Sequence, residues 1–182
     1  KLKFELEQMY FNVLTVLNRL VCRRSEYAER MVVHHKMVGP LFNTLIRSSS
    51  NSLKSLASDI LCHLSDREST HETLVEWVTT FRFLVESDNC LSMQTAAYMI
   101  TRMFCNKNMR EMLSHTEFLP YTNMLEDIFH RTKDKRTKMY ASFGVFLSKG
   151  KTSQQKFLME KERNEMILYR LGQVAFVMGT AF

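Results

Sequence analysis

Residues 37–64 read MVGPLFNTLIRSSSNSLKSLASDILCHL. The stretch contains a Gly-Pro helix start, an apolar stripe with helical spacing and a polar Ser/Asn segment. A second apolar stripe follows, formed by Leu53, Leu56, Ala57, Ile60, Leu61 and Leu64. Proline is tolerated in a first helical turn because its missing N–H has no partner there. The pattern therefore predicts two helices joined by a short polar linker.

Apolar residues of this stretch recur downstream at a spacing of 40 residues. Three series show the spacing: Leu41, Phe81 and Tyr121; Val38, Val78 and Phe118; Leu45, Val85 and Leu125. A period near 40 built from helices is typical of a solenoid, in which each repeat buries its apolar face against its neighbours. We therefore expect stacked helical repeats, each containing a short, a medium and a long helix.

The composition agrees with an all-α chain. Its 182 residues are 45% hydrophobic, which allows one domain over residues 1–182 with a sizeable core. Five Gly and two Pro are few for a protein built from tight hairpins. No apolar run is long enough to span a membrane and no signal peptide begins the chain, so we expect an intracellular protein, cytoplasmic or nuclear.

Two further expectations concern the cysteines and the chain ends. The four cysteines form no C-x-x-C pair, which favours reduced thiols over disulfides or a metal site. The chain begins without Met and stops within an apolar helical pattern, QVAFVMGTAF. We therefore expect a fragment of a longer protein, with partial repeats at both ends and self-association possible through uncovered terminal faces.

The long helices can be aligned with one another. Each of the four long helices contributes a set of four positions, and successive sets are 44, 40 and 44 residues apart. The sets are Val13, Val16, Leu17 and Leu20; Ala57, Ile60, Leu61 and Leu64; Ala97, Ile100, Thr101 and Phe104; and Ala141, Gly144, Val145 and Ser148. We assign the four extra residues of the last step to a longer linker between Ile128 and Met139. The expected units are 1–24 (partial), 25–66, 67–106, 107–150 and 151–182 (partial).

These units resemble armadillo repeats. The string MVGPLFNTLIRSSSNSLKSLASDILCHLS matches that family's unit through Gly39, Leu41, Leu45, Leu53, Ala57, Ile60 and Leu64. The second unit matches through Phe81, Leu84, Val85, Ala96, Ala97 and Ile100, and the third through Leu119, Pro120, Met124, Leu125 and Ala141. The resemblance implies a right-handed α-solenoid of about three complete three-helix repeats. The family's peptide-holding asparagines are missing, because Arg19, His63, Met103 and Leu147 occupy those positions.

The sequence offers little support for catalysis, metal binding or nucleotide binding. The spacing of a metal site is not found among the histidines His34, His35, His63 and His71. The spacing of a catalytic triad is not found in the group Cys62, His63, Ser65 and Asp66. No phosphate-binding glycine motif is present. We therefore expect a protein without enzymatic activity, bound metal or cofactor.

The positive charge is concentrated in one region. Residues 131–170 contain eleven Lys/Arg and four Asp/Glu, whereas the rest of the chain contains fourteen and fifteen. We expect a protein-binding scaffold or adaptor whose partner is an acidic amphipathic segment. The alternative is a basic solenoid that docks nucleic acid or an anionic membrane, although a charged surface alone specifies a ligand weakly. The candidate binding residues are Arg19, His63, Met103, Lys133, Lys135, Arg136, Lys138, Lys149 and Lys151.

Overall fold

The computed structural model describes residues 2–23, 26–27, 30–31, 36–87, 89–113 and 119–149. Over these residues the chain is helical and has no strand, which confirms the all-α prediction for this part. The helices are α1 (Leu2–Arg23), α2 (Val38–Arg47), α3 (Asn51–Ser65), a 3-10 turn (Glu68–Thr70), α4 (His71–Val75), α5 (Val78–Glu86), α6 (Cys90–Cys105), α7 (Lys107–Leu113), α8 (Leu119–Arg131) and α9 (Lys135–Lys149). Within these ranges no helix combines the length and apolarity that a membrane crossing requires.

Some predictions fall outside the described residues. The short helix expected at the start of unit 25–66 is described only in part, and the terminal partial unit 151–182, which includes Lys151, is not described at all. The two other predicted short helices correspond to α4 with its preceding 3-10 turn and to α7.

The helices form two rows. In the long-helix row, α1 contacts α3, α3 contacts α6 and α6 contacts α9. The other row, here called the short-helix row because its helices are shorter than the long helices, consists of the predicted medium helices α2, α5 and α8. Each of them packs beside the long helix that follows it. Rings of Phe42, Phe81 and Tyr121 connect this row, with centroids 5.4 Å and 5.6 Å apart in edge-on geometry. Such aromatic pairs add to the free energy gained by burying the rings.

Three-residue linkers connect the rows, and each ends on a residue that caps the next long helix. Ser50 Oγ accepts from the Leu53 backbone N–H, and Asn89 Oδ1 accepts from the backbone N–H groups of Leu91 and Ser92. Asp134 Oδ2 accepts from both the backbone N–H and the hydroxyl of Thr137, at 2.7 Å each. These acceptors satisfy backbone donors that have no partner within the first turn of the helix.

The predicted long linker between Ile128 and Met139 is wrong. Helix α8 contains 13 residues, whereas α2 contains 10 and α5 contains 9, so the extra residues extend α8 by about one turn. That turn is stabilised by packing, because Ile128 is fully buried and Arg131 donates to the Val85 carbonyl at 2.8 Å. As a result, Lys135 and Arg136 lie in the first turn of α9 rather than in a loop.

The register between α3 and α6 is 39 residues instead of the predicted 40. The capping residues Ser50 and Asn89 are 39 apart. At this spacing the seven buried residues of α3 all coincide with buried residues of α6: Ser92, Ala96, Ala97, Met99, Ile100, Met103 and Phe104. In the sequence, Ala57 can be aligned with Ala96 at a spacing of 39 or with Ala97 at a spacing of 40. The capping residue Asn89, which lies 39 residues after Ser50, decides for the spacing of 39. The step from Asn89 to Asp134 is likewise 45 residues rather than 44.

The predicted alignment of α1 with the buried positions of the other long helices is also wrong in part. Val13, Val16 and Leu20 are exposed, whereas Leu14 and Val21 are buried. Tyr10 and Leu17 pack against the core on the same side as these two residues, and the Tyr10 hydroxyl lies 2.8 Å from Thr44 Oγ1 on α2. Helix α1 therefore packs on its neighbours through Tyr10, Leu14, Leu17 and Val21, and of the four aligned residues only Leu17 belongs to this face.

Candidate functional site

Two buried side chains hold the sharp turn that follows α3. The Thr70 hydroxyl lies 2.6 Å from the Leu64 carbonyl oxygen, and His71 Nε2 lies 2.7 Å from the Ser65 carbonyl oxygen. Thr70 and His71 are both almost completely buried. They supply partners for carbonyl groups that the end of α3 leaves without an intrahelical donor. The turn places Asp66 at the end of α3, facing α6.

His71 has a structural role at this turn. Burial lowers the pKa of its imidazole, which is therefore neutral at pH 7. The neutral ring donates from Nε2 to the Ser65 carbonyl and accepts at Nδ1 from the Asn106 amide, at 3.4 Å. Both ring nitrogens are thus used, which leaves neither for a metal ion.

A group of polar side chains, here called the Asp66 cluster, lies across α3, α6 and α9 of the long-helix row. Its members are His63, Asp66, Tyr98, Arg102 and Tyr140. Tyr98 donates from its hydroxyl to Asp66 Oδ1 at 2.8 Å, and Arg102 Nε lies 2.8 Å from the same oxygen. His63 Nδ1 is 3.9 Å from Asp66 Oδ2. The side chains of Asp66, Arg102 and His63 are 31%, 39% and 41% exposed, so a partner can reach them.

The cluster extends to α9 through Tyr140. The rings of Tyr98 and Tyr140 meet edge to face, with centroids 5.1 Å apart and an interplanar angle of 84°. The Thr101 hydroxyl donates to the Tyr140 carbonyl at 2.8 Å, which fixes α9 against α6. Burial, together with the hydrogen bond to Asp66, raises the pKa of Tyr98 and keeps its hydroxyl protonated. These contacts hold Tyr98 and Arg102 in a defined orientation at the surface.

The structure separates the candidate residues of the long helices. His63 belongs to the Asp66 cluster, and Arg19 is exposed on α1. Met103 is completely buried, so the prediction that it contacts a partner is wrong. At the observed spacing of 39 residues, the residue of α6 that corresponds to His63 is Arg102. Sequence reasoning did not include Asp66, Tyr98, Arg102 or Tyr140 among the candidate binding residues. The capping residues Ser50 and Asn89 were the signal that could have identified Arg102.

The other candidate residues form a basic segment around the start of α9. Lys133, Lys135 and Arg136 are exposed. Lys138 is half-buried, with its ammonium nitrogen 4.8 Å from the centroid of the Phe129 ring on α8, within cation–π distance. Lys149 is the last residue of α9, and Lys151 lies outside the described residues. The hydrogen bonds from Thr137 lower the pKa of Asp134, which stays ionised among these cations.

The group Cys62, His63, Ser65 and Asp66 lacks an activated nucleophile. Burial, reinforced by the negative charges of Asp59 and Asp66, raises the pKa of the Cys62 thiol to about 12. The thiolate is the reactive form of cysteine, so Cys62 is inert at neutral pH. The Ser65 hydroxyl donates to the Cys62 carbonyl at 2.7 Å. Among the described residues, no three His, Cys, Asp or Glu side chains converge as metal ligands would.

Comparisons with protein family models, curated proteins and solved structures found no match to this chain. The candidate features for a functional proposal are the Asp66 cluster and the basic segment. The cluster contains Tyr98 and Arg102, residue types that contribute strongly to binding energy at protein interfaces. The basic segment supplies positive charge that acts over a longer range.

Proposed function

We propose that this chain is a non-catalytic, intracellular protein-binding scaffold. It binds an acidic amphipathic segment of another protein along the long-helix row. The observation that carries the proposal is the Asp66 cluster, in which Tyr98 and Arg102 are held in place and remain reachable from solvent. Arginine has five N–H donors in a planar group, and Asp66 contacts it at Nε. The exposed side chain can thus receive a partner carboxylate as a second anion.

The scaffold in this proposal is a right-handed α-solenoid of about three armadillo-like repeats. Two features support it: the successive contacts of α1, α3, α6 and α9, and the parallel series of rings in the short-helix row. The three-residue linkers and the 39-residue match of buried positions between α3 and α6 also favour repeated units. In a solenoid, stacked equivalent helices create an extended surface suited to an elongated partner.

In this proposal the basic segment and the Asp66 cluster act at different stages of binding. Lys133, Lys135 and Arg136 attract an acidic segment at long range and raise the rate of encounter. Apolar and aromatic anchors of the partner then pack beside Tyr98 and Tyr140, and its carboxylates pair with Arg102. Buried anchors supply most of the binding energy in such interfaces, whereas exposed charges mainly set the association rate.

The alternative is a basic surface that docks nucleic acid or an anionic membrane. It is favoured by the exposure of Lys133, Lys135 and Arg136 within four consecutive residues of the chain. Base stacking by aromatic side chains usually accompanies binding of single-stranded nucleic acid, and Tyr140 already contacts Tyr98. We favour the protein partner for this reason.

The proposal is tested by capturing proteins from a cell lysate on the immobilised chain. Wild type is compared with Arg102→Ala and with Arg82→Ala, a matched control that removes an exposed arginine from α5 in the short-helix row. Proteins retained by wild type and Arg82→Ala but lost by Arg102→Ala support the proposal. If Arg102→Ala retains everything that wild type retains, the Asp66 cluster is not the binding surface.

A second measurement distinguishes the alternative. Labelled single- and double-stranded oligonucleotides and phosphatidylserine vesicles are titrated with the chain at increasing salt concentration. Binding that weakens steeply with salt indicates counterion release and would favour the alternative, a basic surface that docks nucleic acid or an anionic membrane. We expect no such binding at physiological ionic strength.

A further inference from the structure

Helix α1 carries an apolar stripe that remains exposed to solvent in the described part of the fold. Its members are Leu6, Met9, Val13, Val16 and Leu20, which are 51%, 60%, 48%, 55% and 38% exposed. Among the described residues, five of the seven exposed large hydrophobic side chains belong to this one helix. Because these five side chains lie together in one stripe, they differ from the scattered apolar residues that are normal on protein surfaces.

The spacing of the stripe is that of a coiled-coil seam. Successive members are three, four, three and four residues apart, which places Leu6, Val13 and Leu20 at a positions and Met9 and Val16 at d positions of a heptad. A stripe limited to a and d is narrower than the face by which a helix packs on a globular core. It therefore matches a single helix as its partner.

The stripe is separate from the face that α1 already buries. At about 100° per residue, its centre lies about 90° around the helix from the centre of Tyr10, Leu14, Leu17 and Val21. Those four residues pack against the core. The heptad g positions, Glu5, Asn12 and Arg19, lie still farther from the core, and all three are exposed.

We propose that α1 pairs with α1 of a second copy of this chain, in antiparallel orientation about a two-fold axis. In the register that places Leu6 opposite Val16 of the second copy, and Met9 opposite Val13, every layer of the seam pairs an a residue with a d residue. The g positions of the two helices then face each other. Glu5 lies opposite Arg19 of the second copy, Arg19 opposite Glu5, and Asn12 opposite Asn12 at the axis.

Charge complementarity favours a second copy over an unrelated helix. The antiparallel register joins two pairs of opposite charge and no pair of like charge, and a two-fold contact uses the same surface on both copies. A parallel pair would instead bring each g position towards an e position of the second helix. The e positions that would meet Glu5 and Asn12 are Tyr10 and Leu17, which already pack against the core. The antiparallel pair is thus the arrangement that uses Glu5 and Arg19.

The first test measures the oligomeric state by sedimentation velocity from roughly 1 to 200 μM, a range suited to a small interface. We expect a monomer–dimer equilibrium for wild type and a monomer for the double variant Met9→Glu, Val13→Glu. Phe83→Glu is the matched control, because it replaces an exposed apolar residue of α5 and should associate like wild type. A wild-type chain that is monomeric throughout, or a dimer that survives Met9→Glu, Val13→Glu, overturns the proposal.

The second test exchanges charges. Glu5→Arg and Arg19→Glu should each weaken dimerisation by about threefold to tenfold, because each replaces two attractive contacts with two repulsive ones. Combining them in one chain recreates both pairs with reversed polarity and should restore the wild-type dissociation constant within about twofold. A double variant weaker than either single variant would show that residues 5 and 19 do not face each other. Melting temperatures recorded first establish that every variant is folded.

Discussion

Asp66 Oδ1 accepts the hydroxyl hydrogen of Tyr98 at 2.8 Å, across 32 residues of sequence. Arg102 Nε lies at the same distance from that oxygen, so one carboxylate oxygen is shared by two side chains that are one turn apart on α6. Asp66 itself is placed by the turn that Thr70 and His71 hold. The polar surface of the long-helix row thus depends on how the chain leaves α3.

Removing the Tyr98 hydroxyl should destabilise the fold. Tyr98→Phe deletes a half-buried hydrogen bond to a carboxylate, and we expect a loss of about 1 kcal/mol in the free energy of unfolding. Chemical denaturation of Tyr98→Phe, Asp66→Ala and the double variant gives their coupling energy. A coupling of about 1 kcal/mol fits the observed bond. Strictly additive effects would mean that the bond contributes nothing to stability.

The stability of the protein should fall in mild acid because of His71. Burial lowers the pKa of His71, so below pH of about 6.5, the usual histidine pKa, the unfolded chain binds a proton that the folded chain does not. The contribution of neutral His71 is complete above that pH and is lost progressively below it. Melting temperatures between pH 7.5 and pH 5.5 should therefore drop more for wild type than for His71→Gln.

His63→Gln is the matched control for this measurement. His63 lies near the same turn with its side chain 41% exposed, so His63→Gln removes a histidine and leaves the buried His71 in place. If His71→Gln also keeps the full drop, another group is responsible for the loss of stability in acid.

Gly144→Ala should destabilise the protein although it lies within a helix. Alanine is intrinsically favoured over glycine there by about 1 kcal/mol. A Cβ atom at this position would lie 2.5 Å from Leu125 Cδ1 and 2.6 Å from Thr101 Oγ1, and Thr101 is fixed by its bond to Tyr140. We expect a net loss of about 1 to 3 kcal/mol in chemical denaturation.

Two comparisons locate the cause of that loss. Gly39→Ala places its Cβ 2.9 Å from Trp77 Cη2, a less severe contact, and should cost less. Adding Leu125→Ala to Gly144→Ala removes one of the two obstacles, so the double variant should lose less than the sum of the single effects. Additive losses would contradict close packing of α9 on α8 at this point.

Reversing the charges at the start of α9 should affect binding and stability in opposite directions. Lys135→Glu with Arg136→Glu should slow association with a captured partner about tenfold, because the steering charge is reversed. Lys135→Glu should also raise the free energy of unfolding by about 0.3 to 1 kcal/mol, because negative charge is favourable in the first turn of a helix. Lys138 is left in place because it contacts Phe129.

Salt supplies the control for this prediction. Both effects should shrink as salt concentration rises, since the charges are exposed and screening acts on them fully. An association rate equal to wild type at low salt would exclude the basic segment from the partner contact.

The helices of this chain could be predicted from the sequence because apolar spacing and capping residues act locally. The stripe of residues 37–64 correctly indicated α2 and α3, and the linker around Ser50 lies where the polar residues predicted it. The errors concern how helices face each other. In α1, apolar residues cover more than one face, so periodicity alone could not decide whether Val13 or Leu14 is buried. Contacts with α3 and α2 determine that choice.

The candidate site was less accessible to sequence reasoning for the same physical reason. An alignment one residue out of register replaces an exposed residue with a buried one, as Met103 and Arg102 demonstrate. Asp66 carries no periodic signal, because it lies in a turn and is positioned by Thr70 and His71. Polar clusters of this kind depend on contacts between residues more than 30 positions apart.

The extra turn of α8 has a consequence for insertions and deletions. One helical turn advances the chain by about 5.4 Å and returns it to nearly the same direction around the axis, so Arg131 still reaches the Val85 carbonyl. One or two added residues would instead rotate Arg131 and Ile128 by about 100° or 200° and remove both from their contacts. Relatives of this protein should therefore differ in length at this point by whole turns, three or four residues at a time, with the linker kept constant.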